Sequence, residues 1–198
     1  MNKQDLKALG WAFAQFFIGV ALALLGAAAV FTDAKYFNVL YGISVVESFQ
    51  TLCLFVSIVC LLISARRKDA PGLILVAGFL GCMFIREQDG LFDLLAHGSW
   101  KYFALTCAAL SIYAAWRAGV DKSLSTLVRF CQSREFYFIM TGLLTVLVFS
   151  RIMGMNALWK IVMADAYDYT VKFTIEEALE LWGYILIMYS AVSERLSR

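Results

Sequence analysis

Carboxylate side chains beside or within apolar segments are the residues of this chain that could do chemistry. Seven acids meet this description, and two arginines lie in the same segments. The acids are Glu47, Glu87, Asp89, Asp93, Glu176, Glu177 and Glu180, and the arginines are Arg86 and Arg151. Ionisable groups in lipid are costly, so they face a bundle interior, pair with each other or line a wet cavity. Because two arginines cannot neutralise seven carboxylates, we expect part of the set to be protonated or to hold a cation.

Helical spacing places these groups on shared faces, because residues three, four and seven apart lie on one side of a helix. Gln50 follows Glu47 at this spacing, and Glu180 and Tyr184 follow Glu176. Arg86, Asp89, Asp93 and His97 form a similar stripe if their helix continues outward. The predicted ligand-binding site consists of Glu47, Gln50, Arg86, Glu87, Asp89, Arg151, Glu176, Glu177, Glu180 and Tyr184.

Two further expectations concern the charges in this set. Glu87 and Asp93 are the acids expected to face water at helix ends. The alternative to a binding site is a set of structural salt bridges, for instance Arg86 with Glu180 and Arg151 with Glu47.

The elements that must position these groups are membrane-spanning helices. Hydrophobic residues make up 62% of the 198 residues and charged residues 16%, against about 45–50% and about 25% in soluble domains. The mean hydropathy is +0.74. A soluble fold of this size would expose large apolar patches. The composition therefore predicts an all-α, polytopic membrane protein that forms a single domain over residues 1–198.

Six apolar segments predict six transmembrane helices, since a span needs about 20 mostly apolar residues. The first four are Gly10 to Phe31, Ile43 to Ser64, a segment from Gly72, and Lys101 to Trp116. The fifth runs from Phe136 to Met153, and the sixth ends near Val192. Two runs are short: Gly72 to Ile85 ends at a charged stretch, and Leu181 to Val192 follows three glutamates. Each must take in charged residues to cross the bilayer, which draws charges into one leaflet.

Lysine and arginine mark the cytoplasmic side of a membrane protein. With the N-terminus inside, the inner segments carry 11 of the 17 Lys and Arg residues and the outer segments carry 6. Arg66, Arg67 and Lys68 form the strongest single marker. The pattern predicts that both termini are cytoplasmic, that the acidic site lies in the outer leaflet, and that the chain is a multi-pass protein of a bacterial inner membrane.

Several functional classes do not fit the residues present. The single histidine, His97, does not supply paired axial ligands, so we expect no haem. Oxygen-rich ligands suit a hard divalent cation such as Ca²⁺, Mg²⁺ or Mn²⁺ better than zinc. The net charge of +2 does not indicate a nucleic-acid partner. Common nucleophile, zinc-protease and phosphate-loop motifs are absent, and no C-x-x-C pair is present.

Two further patterns concern partners. The segment 117–135 carries Val120, Leu124, Leu127 and Val128 on one helical stripe, which predicts a short interfacial helix or a docking surface for a cytoplasmic partner protein. Similar short interfacial helices are expected in the outer loops. Ala23 and Ala27, with Gly26 beside them, form a small-xxx-small pattern that suits either packing within the chain or a homo-oligomer contact.

The leading hypothesis is that the acid-rich site binds a cation or a cationic solute for transport or sensing. The alternative is a membrane interaction or assembly subunit whose polar cluster is structural and which signals to a partner protein. A carboxylate-dependent, lipid-active membrane enzyme is the third hypothesis, since acids and arginine suffice for acid–base chemistry near a phosphate. We expect binding rather than catalysis.

Overall fold

The computed structural model describes residues 3–36 and 44–197, and these residues form helices and no strand. The first five helices are α1 (Lys3–Tyr36), α2 (Val45–Arg67), α3 (Gly72–Glu87), α4 (Asp89–Asp93) and α5 (Trp100–Arg117). They are followed by α6 (Val120–Cys131), α7 (Arg134–Leu144), a π-helical turn (Thr145–Phe149) and α8 (Ser150–Met153). The last elements are α9 (Asn156–Met163), a 3₁₀ turn (Ala164–Ala166) and α10 (Tyr169–Leu196).

Three helical segments are long and apolar enough to cross a membrane: Asp5–Tyr36, Val45–Arg67 and the continuous segment Arg134–Met153. A fourth is counted if α5 and α6, which are bent by 109° at their junction, form one span. These segments make an all-α membrane protein a sound description of the chain. The expected start of the second helix, Ile43, lies outside the described residues.

The core of the fold is the pair formed by α2 and α10. Helix α3 packs on α2, α5 packs on α3, and α7 packs on α10. Apolar side chains fill the interior, and Leu54, Leu61, Leu80 and Ile187 are fully buried there. Helix α1 packs on α10 and α2 but keeps most of its large apolar side chains exposed. A helix with such an apolar outer surface is suited to lipid rather than water.

Glycines allow α7 and α10 to approach closely. A Cβ atom added to Gly183 would lie 2.5 Å from Val146 Cγ2 and 2.8 Å from the Gly142 carbonyl oxygen. One added to Gly142 would lie 2.6 Å from the Gly183 carbonyl oxygen. Small residues let helix backbones meet in this way. In the same manner Gly26 of α1 packs on Ile185 of α10, so this part of the small-residue pattern serves packing within the chain.

The predicted helix in segment 117–135 is present as α6, and it lies across the end of α3. Its Thr126 hydroxyl accepts a hydrogen bond from the Gly72 backbone N–H at 2.9 Å. The opposite face leaves Val120, Leu124 and Val128 about half exposed. Helix α6 therefore presents a row of apolar side chains on the outside of the bundle.

One predicted feature of α3 is wrong. The stripe of Arg86, Asp89, Asp93 and His97 required one helix to continue outward, but α3 ends at Glu87. Gln88 then turns the chain (φ −96°, ψ 20°) into the separate five-residue helix α4. The stripe is broken because Gln88 interrupts the helical backbone on which the spacing depends.

Candidate functional site

The polar residues singled out in the sequence gather where α2, α3, α8 and α10 meet, at the end of the bundle that carries the N-terminus of α10. The central contact is the buried carboxylate of Glu180, which is 4% exposed. Its Oε1 atom accepts hydrogen bonds from Arg151 Nη2 and, at 3.2 Å, from the Ser150 hydroxyl. The carboxylate thus has one cation and one neutral donor, as a buried charge requires.

Glu176, one turn earlier on α10, joins this ion pair to a second cation. Its Oε1 atom lies 3.3 Å from Arg151 Nη1, and its Oε2 atom lies 2.8 Å from Lys172 Nζ. The salt bridges proposed for the structural alternative paired Arg151 with Glu47 and Arg86 with Glu180. That pairing is wrong, since Arg151 pairs with two carboxylates of α10.

Lys172 was missing from the predicted set. Its spacing of four residues from Glu176 on the same helix is the signal that could have identified it. Ser150 owes its position to the π-helical turn Thr145–Phe149, which precedes it and rotates the end of this helical segment. Its hydroxyl oxygen also lies 2.5 Å from the Val146 carbonyl oxygen, so its one proton is shared between this oxygen and Glu180 Oε1. Such turns often occur at functional sites, and nothing in the sequence marked this one.

Gln50 and Glu177 connect α2 to α10. The Gln50 side chain is 1% exposed, and its Nε2 atom donates to Glu177 Oε2 at 2.9 Å and to the Glu177 carbonyl oxygen at 3.2 Å. The carboxylate of Glu177 therefore receives a hydrogen bond from a neutral amide. No described lysine or arginine lies within 4.0 Å of it.

Glu87 and Tyr184 connect α3 to α10. The Tyr184 side chain is fully buried, and its hydroxyl donates to Glu87 Oε1 at 2.7 Å. Glu87 was expected to face water, and this expectation is wrong: the last turn of α3 directs the carboxylate inward onto Tyr184. Arg86, beside it in the sequence, is half-buried. Arg86 has no carboxylate within 4.0 Å among the described residues.

The remaining predicted residues lie at the edge. Glu47 is exposed in the first turn of α2, and Asp89 is exposed at the start of α4. Asp93 is exposed as well, which agrees with its expected position at a helix end. Sequence reasoning missed Asp33 of α1, whose carboxylate accepts from the backbone N–H groups of Val45 and Val46 at 3.0 and 2.9 Å. It satisfies the free donors at the start of α2, as a helix N-terminus requires.

The charges of the inner part of the site nearly balance. The carboxylates that are at least half-buried are Glu87, Glu176, Glu177 and Glu180. Arg151 and Lys172 pair with two of them, and Arg86 precedes Glu87 in the sequence. The large excess of acid inferred from the sequence is reduced because Glu47, Asp89 and Asp93 are exposed to solvent and Lys172 adds a positive charge. What remains are two acids, Glu87 and Glu177, whose hydrogen-bond donors are neutral.

Each of these carboxylates has one oxygen without a described hydrogen bond. Tyr184 and Gln50 occupy one oxygen of each. In the described part of the chain, the only buried side-chain polar atom without a hydrogen-bond partner is Ser64 Oγ, near the other end of α2. The second oxygens of Glu87 and Glu177 are thus not sealed from the surroundings. They could accept hydrogen bonds from a small cationic group.

A metal centre has less support from the geometry. Within residues 3–36 and 44–197, no three His, Cys, Asp or Glu side chains are arranged to hold a metal ion. The five cysteines are free thiols, and His97 is paired with Asp93 at 3.0 Å on the surface.

Comparisons with models of known protein families, with curated proteins and with solved structures found no match to this chain.

Proposed function

We propose that this chain is a multi-pass protein of a bacterial inner membrane that binds a cationic group from the outer side, for sensing or transport. The observation that carries the proposal is the pair of carboxylates on Glu87 and Glu177. Each accepts a hydrogen bond from a neutral donor on one oxygen, and its second oxygen accepts no described hydrogen bond and is not fully buried. An ammonium group offers three hydrogen-bond donors and one positive charge, which suits two such acceptors.

The proposed topology has six spans, with both termini in the cytoplasm. Helix α3 has 16 residues and a length of about 24 Å, less than the hydrocarbon core of about 30 Å. Helix α10 has 28 residues and is about 42 Å long, but its first half is charged. Both helices cross with their polar ends in the outer leaflet, where the site opens. The excess of Lys and Arg at the opposite end supports this orientation.

Thermal unfolding of the purified protein in detergent tests cation binding. A ligand at 100 times its dissociation constant stabilises the folded state by about 2.7 kcal/mol. The probes are ethylammonium, Na⁺, Ca²⁺, Mg²⁺ and Mn²⁺ at matched ionic strength. We expect ethylammonium to raise the melting temperature of the wild type. We expect Glu87→Gln and Glu177→Gln to abolish this shift, and Asp121→Asn, at the other end of the bundle, to retain it.

Two outcomes would change the proposal. A shift produced by a divalent ion and not by ethylammonium would replace the cationic solute with a metal ion. If no cation raises the melting temperature of the wild type, the cluster is structural and the cation-binding proposal fails.

Topology is tested separately by labelling single cysteines introduced at Arg67 and Asp165 in a background without the native cysteines. Labelling of position 67 from outside intact cells would refute the orientation.

The second candidate is a membrane interaction or assembly subunit that signals to a partner protein. The observation that favours it is a set of ion pairs of the kind that structural contacts make. Arg151 with Glu176 and Glu180 joins α8 to α10, and Lys172 with Glu176 lies within α10. The exposed apolar row of α6 would then contact the partner in the cytoplasm. Affinity purification with α6 intact and with Leu124→Asp distinguishes the two, since only an assembly subunit loses a stoichiometric partner.

A further inference from the structure

A continuous groove runs along α10 between α1 and α7, and we call it the α1 groove. It consists of three adjoining cavities of about 490, 410 and 260 Å³. Ala23, Trp182 and Ile185 line both the first and the second cavity, and Gln15, Arg134, Phe138 and Tyr189 line both the second and the third. The groove exists because α1 packs mainly on α10 and α2 and stands away from α7.

One end of the α1 groove differs in chemistry from its middle. Apolar side chains line its middle, among them Leu22, Phe138 and Leu186. The end at the start of α7 carries a pair of opposite charges, Arg134 and Glu135. Neither side chain forms an ion pair with a described residue. One end of the groove therefore offers a cation and an anion to a ligand whose remainder is apolar.

The dimensions match one leaflet of a bilayer. From Ser193 at the charged end to Trp182 in the middle cavity, α10 advances by eleven residues, or about 16 Å. Half of the hydrocarbon core is about 15 Å. Trp11 and Tyr189 line the charged end, and tryptophan and tyrosine are enriched at the level of lipid headgroups. A lipid acyl chain entering at the charged end would reach the middle of the bilayer within the groove.

We infer that the α1 groove binds a zwitterionic glycerophospholipid, with its phosphate on Arg134 and its ammonium group on Glu135. The planar guanidinium group matches phosphate oxygens in a two-pronged contact. One acyl chain lies along the apolar middle, beside Gly19 and Trp182. An anionic phospholipid without an ammonium group fits less well, because it offers no positive charge to Glu135 and its own negative charge is repelled by this carboxylate. This site is independent of the cation site, which lies at the opposite end of α10.

The test measures phospholipid retained by the purified protein, by native mass spectrometry after exchange into detergent containing defined lipids. The probes are phosphatidylethanolamine, phosphatidylglycerol and diacylglycerol with the same acyl chains. We expect the wild type to retain phosphatidylethanolamine in preference to the other two. Arg134→Gln should weaken this retention by roughly tenfold or more, as for loss of a charge-assisted hydrogen bond. Arg134→Lys should recover part of it.

Matched variants separate lipid binding from folding. A Cβ atom at Gly19 or at Gly10 meets no atom within 4 Å, so a phenylalanine can leave the backbone at either position without a clash at its Cβ atom. Only Gly19 lines the groove. We expect Gly19→Phe to abolish phosphatidylethanolamine retention, whereas Gly10→Phe and Arg129→Gln should leave it unchanged.

Three results would overturn the inference. The first is equal retention of phosphatidylethanolamine by the wild type, Arg134→Gln and Gly19→Phe. The second is retention of phosphatidylglycerol as strong as that of phosphatidylethanolamine. The third is a dimer that retains no lipid and that Gly19→Phe dissociates, because the α1 groove would then be covered by a second copy of the chain.

Discussion

Removing Arg151 should destabilise the fold far more than removing the charge of Glu180. In Arg151→Gln, the buried carboxylate of Glu180 keeps only the Ser150 hydroxyl as a donor. Breaking a buried ion pair by removing one partner costs about 3–5 kcal/mol. The Arg151 side chain is 42% exposed, so water reaches part of the vacated space. We therefore expect a loss of about 2 kcal/mol in the free energy of unfolding, or about 30-fold in the equilibrium constant.

The opposite change is expected to be mild. Glu180→Gln removes the buried charge and keeps the shape, while Arg151 retains Glu176 at 3.3 Å. Its cost should stay within about 1 kcal/mol, because replacing a buried ionic group by a neutral one is often close to neutral. The double variant should resemble Glu180→Gln alone, since the glutamine left at position 180 no longer needs a cation.

Denaturant titration of the purified protein in one detergent measures all three variants and the wild type. Arg66→Gln is the matched control, because Arg66 is exposed and forms no ion pair with a described residue. Equal losses in Arg151→Gln and Glu180→Gln would refute this prediction. A double variant whose loss is the sum of the two single losses would also refute it, since residues that act as a pair are not additive.

Three further predictions concern other parts of the fold. Gly183→Ala should lower the free energy of unfolding by about 1–3 kcal/mol, because the added methyl group overpacks against α7. Gly10→Ala lies in open space and should leave the free energy of unfolding unchanged or raise it. Thermal unfolding compares the two variants. Tyr184→Phe should lower the free energy of unfolding by about 1–3 kcal/mol, because it removes the hydroxyl that donates to Glu87, and the melting temperature should fall accordingly. The Gly98 backbone N–H donates a hydrogen bond to Asp93 and holds the pKa of this carboxyl below its ordinary value. The hydrogen bond therefore stabilises the fold fully above the unfolded-state pKa of about 3.9, and this stabilisation is lost as the pH falls through the lower folded-state pKa. Unfolding measured between pH 5 and pH 2.5 should show this loss, and Asp93→Asn should remove it.

The membrane character of this chain and most of its helices were predictable from the sequence, because both depend on local composition and spacing. A run of apolar residues in positions 136–153 makes a helix suited to lipid whatever its neighbours are. The amphipathic stripe of 120–128 likewise predicted α6. The spacing of Glu176, Glu180 and Tyr184 placed them on one face of a helix, because that follows from 3.6 residues per turn.

The partners of the polar side chains were decided only by the tertiary structure. Whether Arg151 meets Glu47 or Glu180 depends on the rotation of each helix and on the distance between their axes, and neither is written in the spacing along one helix. The close approach at Gly183 and the π-helical turn before Ser150 set both quantities for α8 and α10. The same holds where α3 ends. Only the packing of α3 on α2, which itself packs on α10, brings Glu87 within hydrogen-bond distance of Tyr184, while the sequence alone left this carboxylate free to face water.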